Sequence, residues 1–210
     1  MSEPAVTVAR YLATTTAEGP GTRTAVWVQG CTIRCAGCFN PDLFPTEGGT
    51  RWSSAELAAR VLTEPATGLT LLGGEPFDQA DGLAEVARRV RAGGRSVLTF
   101  SGYTHAALRR AAAAGRPGVA DLLAATDLLI AGPFLRDRVD HDRPWAGSTN
   151  QEFVLLSDRF PDLVDWRRGA VDRIQIDVDR SGTVAVNGWL DTDRLDALLA
   201  DLQRINSGLI

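Results

Sequence analysis

The chain has 210 residues, 44% hydrophobic and 23% charged, with a formal net charge of -4. It is long enough to bury the core of one large domain and too apolar to be a disordered chain. The acid excess argues against non-specific nucleic-acid binding, no apolar run is long enough for a membrane span, and the complete use of arginine in place of lysine excludes Schiff-base chemistry.

In chain order, the opening Met1-Ser2-Glu3-Pro4 lacks the basic stretch and apolar run of a secretory leader. The expected location is therefore the cytoplasm, with reduced thiols. The first strand is expected at Ala25–Val28, followed by the three cysteines. Ser53 and Glu56 have capping-box spacing and open a helix through Leu57, Val61 and Leu62. A strand at Leu69–Leu72 then leads into Gly73-Gly74-Glu75-Pro76. Leu83, Val86, Ala87 and Val90 share the face of a second helix that stops at Gly93-Gly94. Ser96–Phe100 is a strand, Thr104 to Gly115 a helix, and Asp127–Ile130 and Phe153–Leu156 are further strands. Strands alternating with helices predict repeated β-α units around a mostly parallel sheet. The charged run Asp137–Arg143 reads as a mobile surface loop or a lid. Past Asp165 the pattern changes: Arg173–Val178 and Thr183–Val186 flank a turn and predict a hairpin. Leu195, Leu198, Leu199 and Leu202 then mark a final amphipathic helix. The chain divides into a domain over 1–165 and a hairpin and helix over 166–210 packed on it.

Cys31, Cys35 and Cys38 form C-x3-C-x2-C directly after the first predicted strand, where a tight loop can bring three thiolates to one metal group. A tetrahedral structural zinc needs a fourth protein ligand, and neither His105 nor His141 is close in sequence. An iron–sulfur cubane held by three thiolates keeps one iron open to another ligand. S-adenosylmethionine could chelate that iron through its amino and carboxylate groups, placing its sulfonium within reach of an electron.

The cysteine spacing, with Gly73-Gly74-Glu75-Pro76 one β-α unit later, resembles the radical S-adenosylmethionine superfamily. The flanks Glu18–Arg23, Gln29–Cys31 and Cys38–Pro41 are similar to activases of glycyl radical enzymes. Ser101–Thr104, Gly132–Phe134 and Gly147–Gln151 are nearest the activating proteins of anaerobic ribonucleotide reductase. Ala131 and Ala146 stand where those proteins usually have Asp and Arg, and the segment after Asp165 is additional. The resemblance implies an α/β fold, a partial (β/α)6 TIM-like barrel with an added C-terminal β-hairpin and helix. It further implies one [4Fe-4S] cluster and S-adenosylmethionine as cofactors. Reductive cleavage to a 5′-deoxyadenosyl radical would be followed by hydrogen abstraction from a glycyl radical protein, with a flavodoxin or ferredoxin as reductant. Cys31, Cys35 and Cys38 are the implied iron ligands and catalytic residues. Gly73, Gly74, Glu75 and Pro76 are expected at the methionine end, Phe39 beside the adenine, and Ser101, Ser148, Asn150 and Gln151 elsewhere along the cofactor. The alternatives are radical modification of a ribosomal peptide or small metabolite, and a non-enzymatic metal or redox sensor. No nucleic-acid or membrane partner is expected.

Overall fold

A computed structural model of the chain describes residues 3–161, 174–178 and 184–188, together with Ala197 and Ala200. Its centre is a seven-stranded sheet. In chain order the elements are β1 (Ala5–Thr15), β2 (Arg23–Val28), β3 (Thr50–Ser53), α1 (Ser54–Thr63), β4 (Gly68–Gly73), α2 (Ala80–Ala92), β5 (Ser96–Ser101), α3 (His105–Ala113), α4 (Val119–Ala125), β6 (Leu128–Ala131) and β7 (Glu152–Leu155). Across the sheet the order is β3-β1-β2-β4-β5-β6-β7. Strands β2, β4, β5 and β6 run parallel, while β1, β3 and β7 run antiparallel to their neighbours.

The parallel core follows from the expected β-α units, since each crossover from β2 to β6 contains at least one helix. The expected strand at Phe153–Leu156 forms as β7 but runs against β6. Its connection, residues 132–151, holds only a 3-10 turn at Arg136–Arg138 and no crossover helix, so the chain returns antiparallel. Parallel pairing thus joins four neighbouring strands of this sheet, β2, β4, β5 and β6. Strands β1 and β3 and helix α4 are additions to the sequence expectation.

Helices α1 to α4 pack on one face. Val6 and Val8 of β1, Val26 and Val28 of β2, Leu69 and Leu71 of β4 and Leu129 of β6 meet Leu57 and Val61, Leu83 and Val86, and Leu122 there. Alternation along the strands sends Ala25, Trp27 and Leu72 to the other face with Leu43, and Leu98 and Ile130 there with Trp145 and Phe153. Ser53 caps α1 as its spacing predicts: Ser53 Oγ accepts from the Glu56 amide, and Glu56 returns a carboxylate to the Ser53 amide, both at 3.2 Å. The predicted hairpin forms as β8 (Ile174–Val178) and β9 (Val184–Gly188). The hydrogen bonds described between it and the rest run from Gln175 Nε2 to Thr14 O (3.3 Å) and from the Gly188 amide to Glu18 (3.1 Å). The final leucine stripe lies outside the described residues, though Ala197 and Ala200 are helical. Among the described residues no helix is long and apolar enough to cross a membrane.

Candidate radical initiation site

The site forms where β2, β4, β5 and β6 end, the edge at which ligands collect in parallel sheets. After β2 the chain leaves through Gly30, whose φ of +92 suits glycine. Both sides of that exit are pinned. The Gly30 amide donates to Leu43 O and its carbonyl accepts from the Glu75 amide, while the Cys31 amide donates to Phe44 O. Residues 41–46 thereby buttress the cysteine segment, with Gln29 Nε2 donating to Pro45 O at 2.8 Å. Within the segment, the Cys38 amide donates back to Cys35 O at 3.2 Å.

After β4, Gly73 has φ +106, and Gly74 comes so close to the first loop that a Cβ would meet Gly30 O at 2.1 Å. Only glycine fits there. Glu75 is fully buried, and its carboxylate accepts from the Phe77 amide (2.9 Å), Ser101 Oγ (2.9 Å) and the Gly102 amide (2.8 Å). Burial pushes its pKa up to about 7, although the Phe77 and Gly102 amides and the Ser101 hydroxyl act in the other direction. The glutamate therefore ties β4 to β5 as well as walling the site.

One cavity is lined by Cys31, Cys35, Cys38, Gly73, Gly74, Glu75, Ser101 and Gln151 of the expected residues. Phe39, Pro76, Ser148 and Asn150 are not in its wall. Phe39 is 57% exposed and tilts against Phe134 with ring centres 5.2 Å apart. Pro76 is buried as the first residue of a 3-10 turn. Ser148 is fully buried, and its Oγ accepts the Leu135 amide. Asn150 Nδ2 donates to Pro133 O at 2.8 Å, whereas its Oδ1 is buried with no partner among the described residues. Gln151 closes the same loop, accepting the Gly147 amide and donating to Gly132 O. The run at 137–143, expected as a mobile surface loop or a lid, is anchored at Asp140 and Arg143. Asp140 is buried against Arg143, whose guanidinium also donates to Gln151 O and Ser148 O.

Sequence reading missed Ile33, Phe44, Phe100, Gly102, Gly132 and Phe134 in the cavity wall. Three of these, Gly102, Gly132 and Phe134, stand inside stretches that carry the resemblance. It also missed Asp78, which accepts hydrogen bonds from Thr32 beside the first cysteine.

The donor set suits a polynuclear cluster. Three thiols face one cavity beside the Gly73–Glu75 turn, and thiolates are the usual ligands of iron–sulfur clusters. Burial pushes the Cys31 and Cys35 thiols up, opposed by backbone amides and reinforced by Glu75, so metal uptake must displace protons from them. Gly73 and Gly74, which pack their bare backbone against β2 and Gly30, line the cavity with the cysteines, and Ser101, Gly102 and Gln151 share that lining.

A three-thiol pocket at the carboxyl edge of a parallel sheet, walled by a Gly-Gly-Glu turn, is the arrangement of an iron–sulfur protein with an open coordination position. The chain belongs to the 4Fe-4S single cluster domain family, which it matches over residues 17–154. An anaerobic ribonucleoside-triphosphate reductase-activating protein of Vibrio cholerae is 29% identical over 143 residues, 63% of this chain and 87% of that protein. Its namesake in Pasteurella multocida is 30% identical over 152 residues, 68% of this chain and 92% of that protein. A pyruvate formate-lyase-activating enzyme of Clostridium pasteurianum is 32% identical over 93 residues, 41% of this chain and 39% of that enzyme. The chain is accordingly a radical S-adenosylmethionine oxidoreductase of the glycyl radical activase kind, with a [4Fe-4S] cluster and S-adenosylmethionine as cofactors.

Proposed function

We propose that this protein activates an anaerobic ribonucleotide reductase by abstracting hydrogen from a backbone glycine of that enzyme. The observation that carries the reading is the shared cavity of Cys31, Cys35, Cys38 and Gly73–Glu75, within the residues 17–154 that match the 4Fe-4S single cluster domain family. When bound, the cluster would supply the one electron needed to cleave S-adenosylmethionine to methionine and a 5′-deoxyadenosyl radical, which would take the glycine hydrogen. The three cysteines hold the iron. The backbone of Gly73 and Gly74 admits the methionine end, and Ser101 and Gln151 supply polar groups along the wall. Glu75 fixes the relative position of the two strand ends through Ser101 and Gly102. Outside the wall, Ser148 and Asn150 hold the loop that carries Gln151, and Phe39 packs on Phe134 of the wall.

The same reading proposes that the sheet is curved as a partial barrel around its helix-free face, that a flavodoxin or ferredoxin delivers the electron, and that the protein works in the cytoplasm. Anaerobic reconstitution tests it. We expect about four irons per chain, dithionite-dependent 5′-deoxyadenosine, and a glycyl radical signal when the anaerobic reductase of the same organism is added. A colourless protein holding one zinc and cleaving no S-adenosylmethionine overturns it. Cofactor cleavage without a radical on the reductase, but with modification of a peptide, moves the target and keeps the chemistry.

A further inference from the structure

Asp78 is the third residue of the 3-10 turn Pro76–Gln79, which follows Glu75. Its carboxylate collects donors from three other parts of the chain. Oδ2 accepts from the Thr32 amide at 2.8 Å and from the Thr32 hydroxyl at 2.8 Å. Oδ1 accepts from Tyr103 Oη at 3.0 Å and from Arg116 Nη2 at 3.1 Å. Thr32 and Tyr103 hydroxyls are also within 2.9 Å of each other. Arg116 is held in turn by Phe77 O and lies over the Tyr103 ring, its guanidinium carbon 5.5 Å from the ring centre.

Thr32 immediately follows the first iron ligand, and Tyr103 follows Ser101 and Gly102 of the cavity wall. Among the described residues, the side-chain oxygen and nitrogen hydrogen bonds from segment 31–38 to the rest of the chain all run through Thr32 to Asp78 and Tyr103. The remaining ties are the Cys31 amide to Phe44 O and the Phe134 amide to the Cys35 thiol. Charge-assisted hydrogen bonds such as those at Asp78 are about twice as strong as neutral ones, and Asp78 keeps only 14% side-chain exposure. An exposed loop carrying three metal ligands would otherwise lose conformational entropy on binding iron.

We propose that Asp78 is a positioning residue that seats the Cys31–Cys38 segment against the Gly73–Glu75 turn before iron arrives, so that the cluster forms on a preorganised loop. The inference rests on the cluster-binding reading above and extends it to a residue outside the cavity wall. Groups that orient metal ligands this way typically change metal affinity by about 10- to 100-fold when removed. Asp78→Asn replaces one accepting oxygen by a donor that must face Thr32 or Tyr103 and Arg116. Thr32→Val removes the hydroxyl arm alone and leaves the Asp78–Tyr103–Arg116 contacts in place.

Two measurements on the full chain test the proposal. In the cluster-free protein, hydrogen exchange of the peptide covering 31–38 is expected to quicken about tenfold in Asp78→Asn and less in Thr32→Val. Exchange in α1 and α2 stays as in the wild type. After anaerobic reconstitution, cluster loss to an iron chelator, followed by visible absorption, is expected to quicken in the same order. Unchanged exchange and unchanged chelator loss in a folded Asp78→Asn protein overturn the proposal. If that variant fails to fold, Thr32→Val decides, and wild-type behaviour in both measurements overturns it equally. A wild-type protein that takes up no cluster refutes the cluster reading instead, and the exchange measurement alone then shows whether Asp78 seats the segment.

Discussion

Glu75 shows how much of the site's chemistry is set by a single buried carboxylate. Burial raises its pKa to about 7, partly offset by the Phe77 and Gly102 amides and Ser101. Between the ordinary carboxylate range and about 7 the folded protein therefore holds a proton that the unfolded chain releases. Stability from this group is fully present below that range and is lost as pH rises through about 7. The expected outcome is a urea midpoint of the cluster-free protein that falls between about pH 5 and about pH 7.5, read by circular dichroism. In Glu75→Gln the slope flattens. The variant also loses about 1–3 kcal/mol, because the new amide must turn a donor towards the amide or hydroxyl donors now satisfied. An unchanged slope in Glu75→Gln would assign the titration elsewhere. At this scale the sequence was readable where residues that share the cavity are close together in the chain, as in the cysteine trio and Gly73–Glu75. It was silent where partners are far apart. Thr32 and Asp78 are separated by 46 positions, and no local pattern announces their bond.

Elements were legible in proportion to how regular their periodicity is. Helices α1 and α2 announce themselves through a capping box and a glycine stop, and both occur in place. Removing the cap in Ser53→Ala should cost about 1 kcal/mol in chemical denaturation, with cluster content unaltered. A loss near zero would mean that packing of α1 against α2 alone holds the helix end. Strand β1 was hidden because its alternation breaks. Val6 and Val8 pack with the helices, yet so does Tyr11, while Ala9 and Leu12 pack on the opposite face. The register with β2 shifts between Val8 and Arg10, and this bulge reverses which positions face inward. Strand β7 was legible as a strand but not in direction, because direction depends on what the connection contains. The junction of β4 with the first loop gives a sharper test. Gly74→Ala forces a Cβ to 2.1 Å from Gly30 O, so one of the two backbones must move. The expected result is a folded protein of lower thermal stability that loses cluster uptake, since Gly30 leads directly into Cys31. Normal iron content in Gly74→Ala would show that the two turns can separate without disturbing the cysteines.

The sheet as a whole separates its tasks by end. Chemistry gathers where the parallel strands finish, and at their beginnings the chain invests in rigidity. Arg23, the first residue of β2, is fully buried and joins three strands there. Its Nε donates to Thr70 Oγ1 at 2.6 Å, Nη1 to Pro20 O and Ser96 Oγ, and Nη2 to Leu69 O. Gly19 and Gly68 make room for it, since a Cβ at either would come within 2.7 and 2.5 Å of its side chain. Burial lowers its pKa to about 9, with Asp127 acting the other way, so the guanidinium remains charged at neutral pH. The hairpin's described hydrogen bonds, to Thr14 and Glu18, also fall at this end, since Thr15 pairs with Arg23. Arg23→Met fills much of the same space but leaves carbonyls and two hydroxyls without its donors, at an expected cost of about 2–4 kcal/mol in urea unfolding. Because no bond of Arg23 reaches the cysteine segment, cluster content and S-adenosylmethionine cleavage per folded molecule should equal those of the wild type at low temperature. Both quantities can be measured on one anaerobic sample, with the folded fraction taken from circular dichroism. A loss of cleavage in protein that remains folded and iron-loaded would mean that the start of β2 governs the geometry at its end, and the division of labour along the sheet would have to be abandoned.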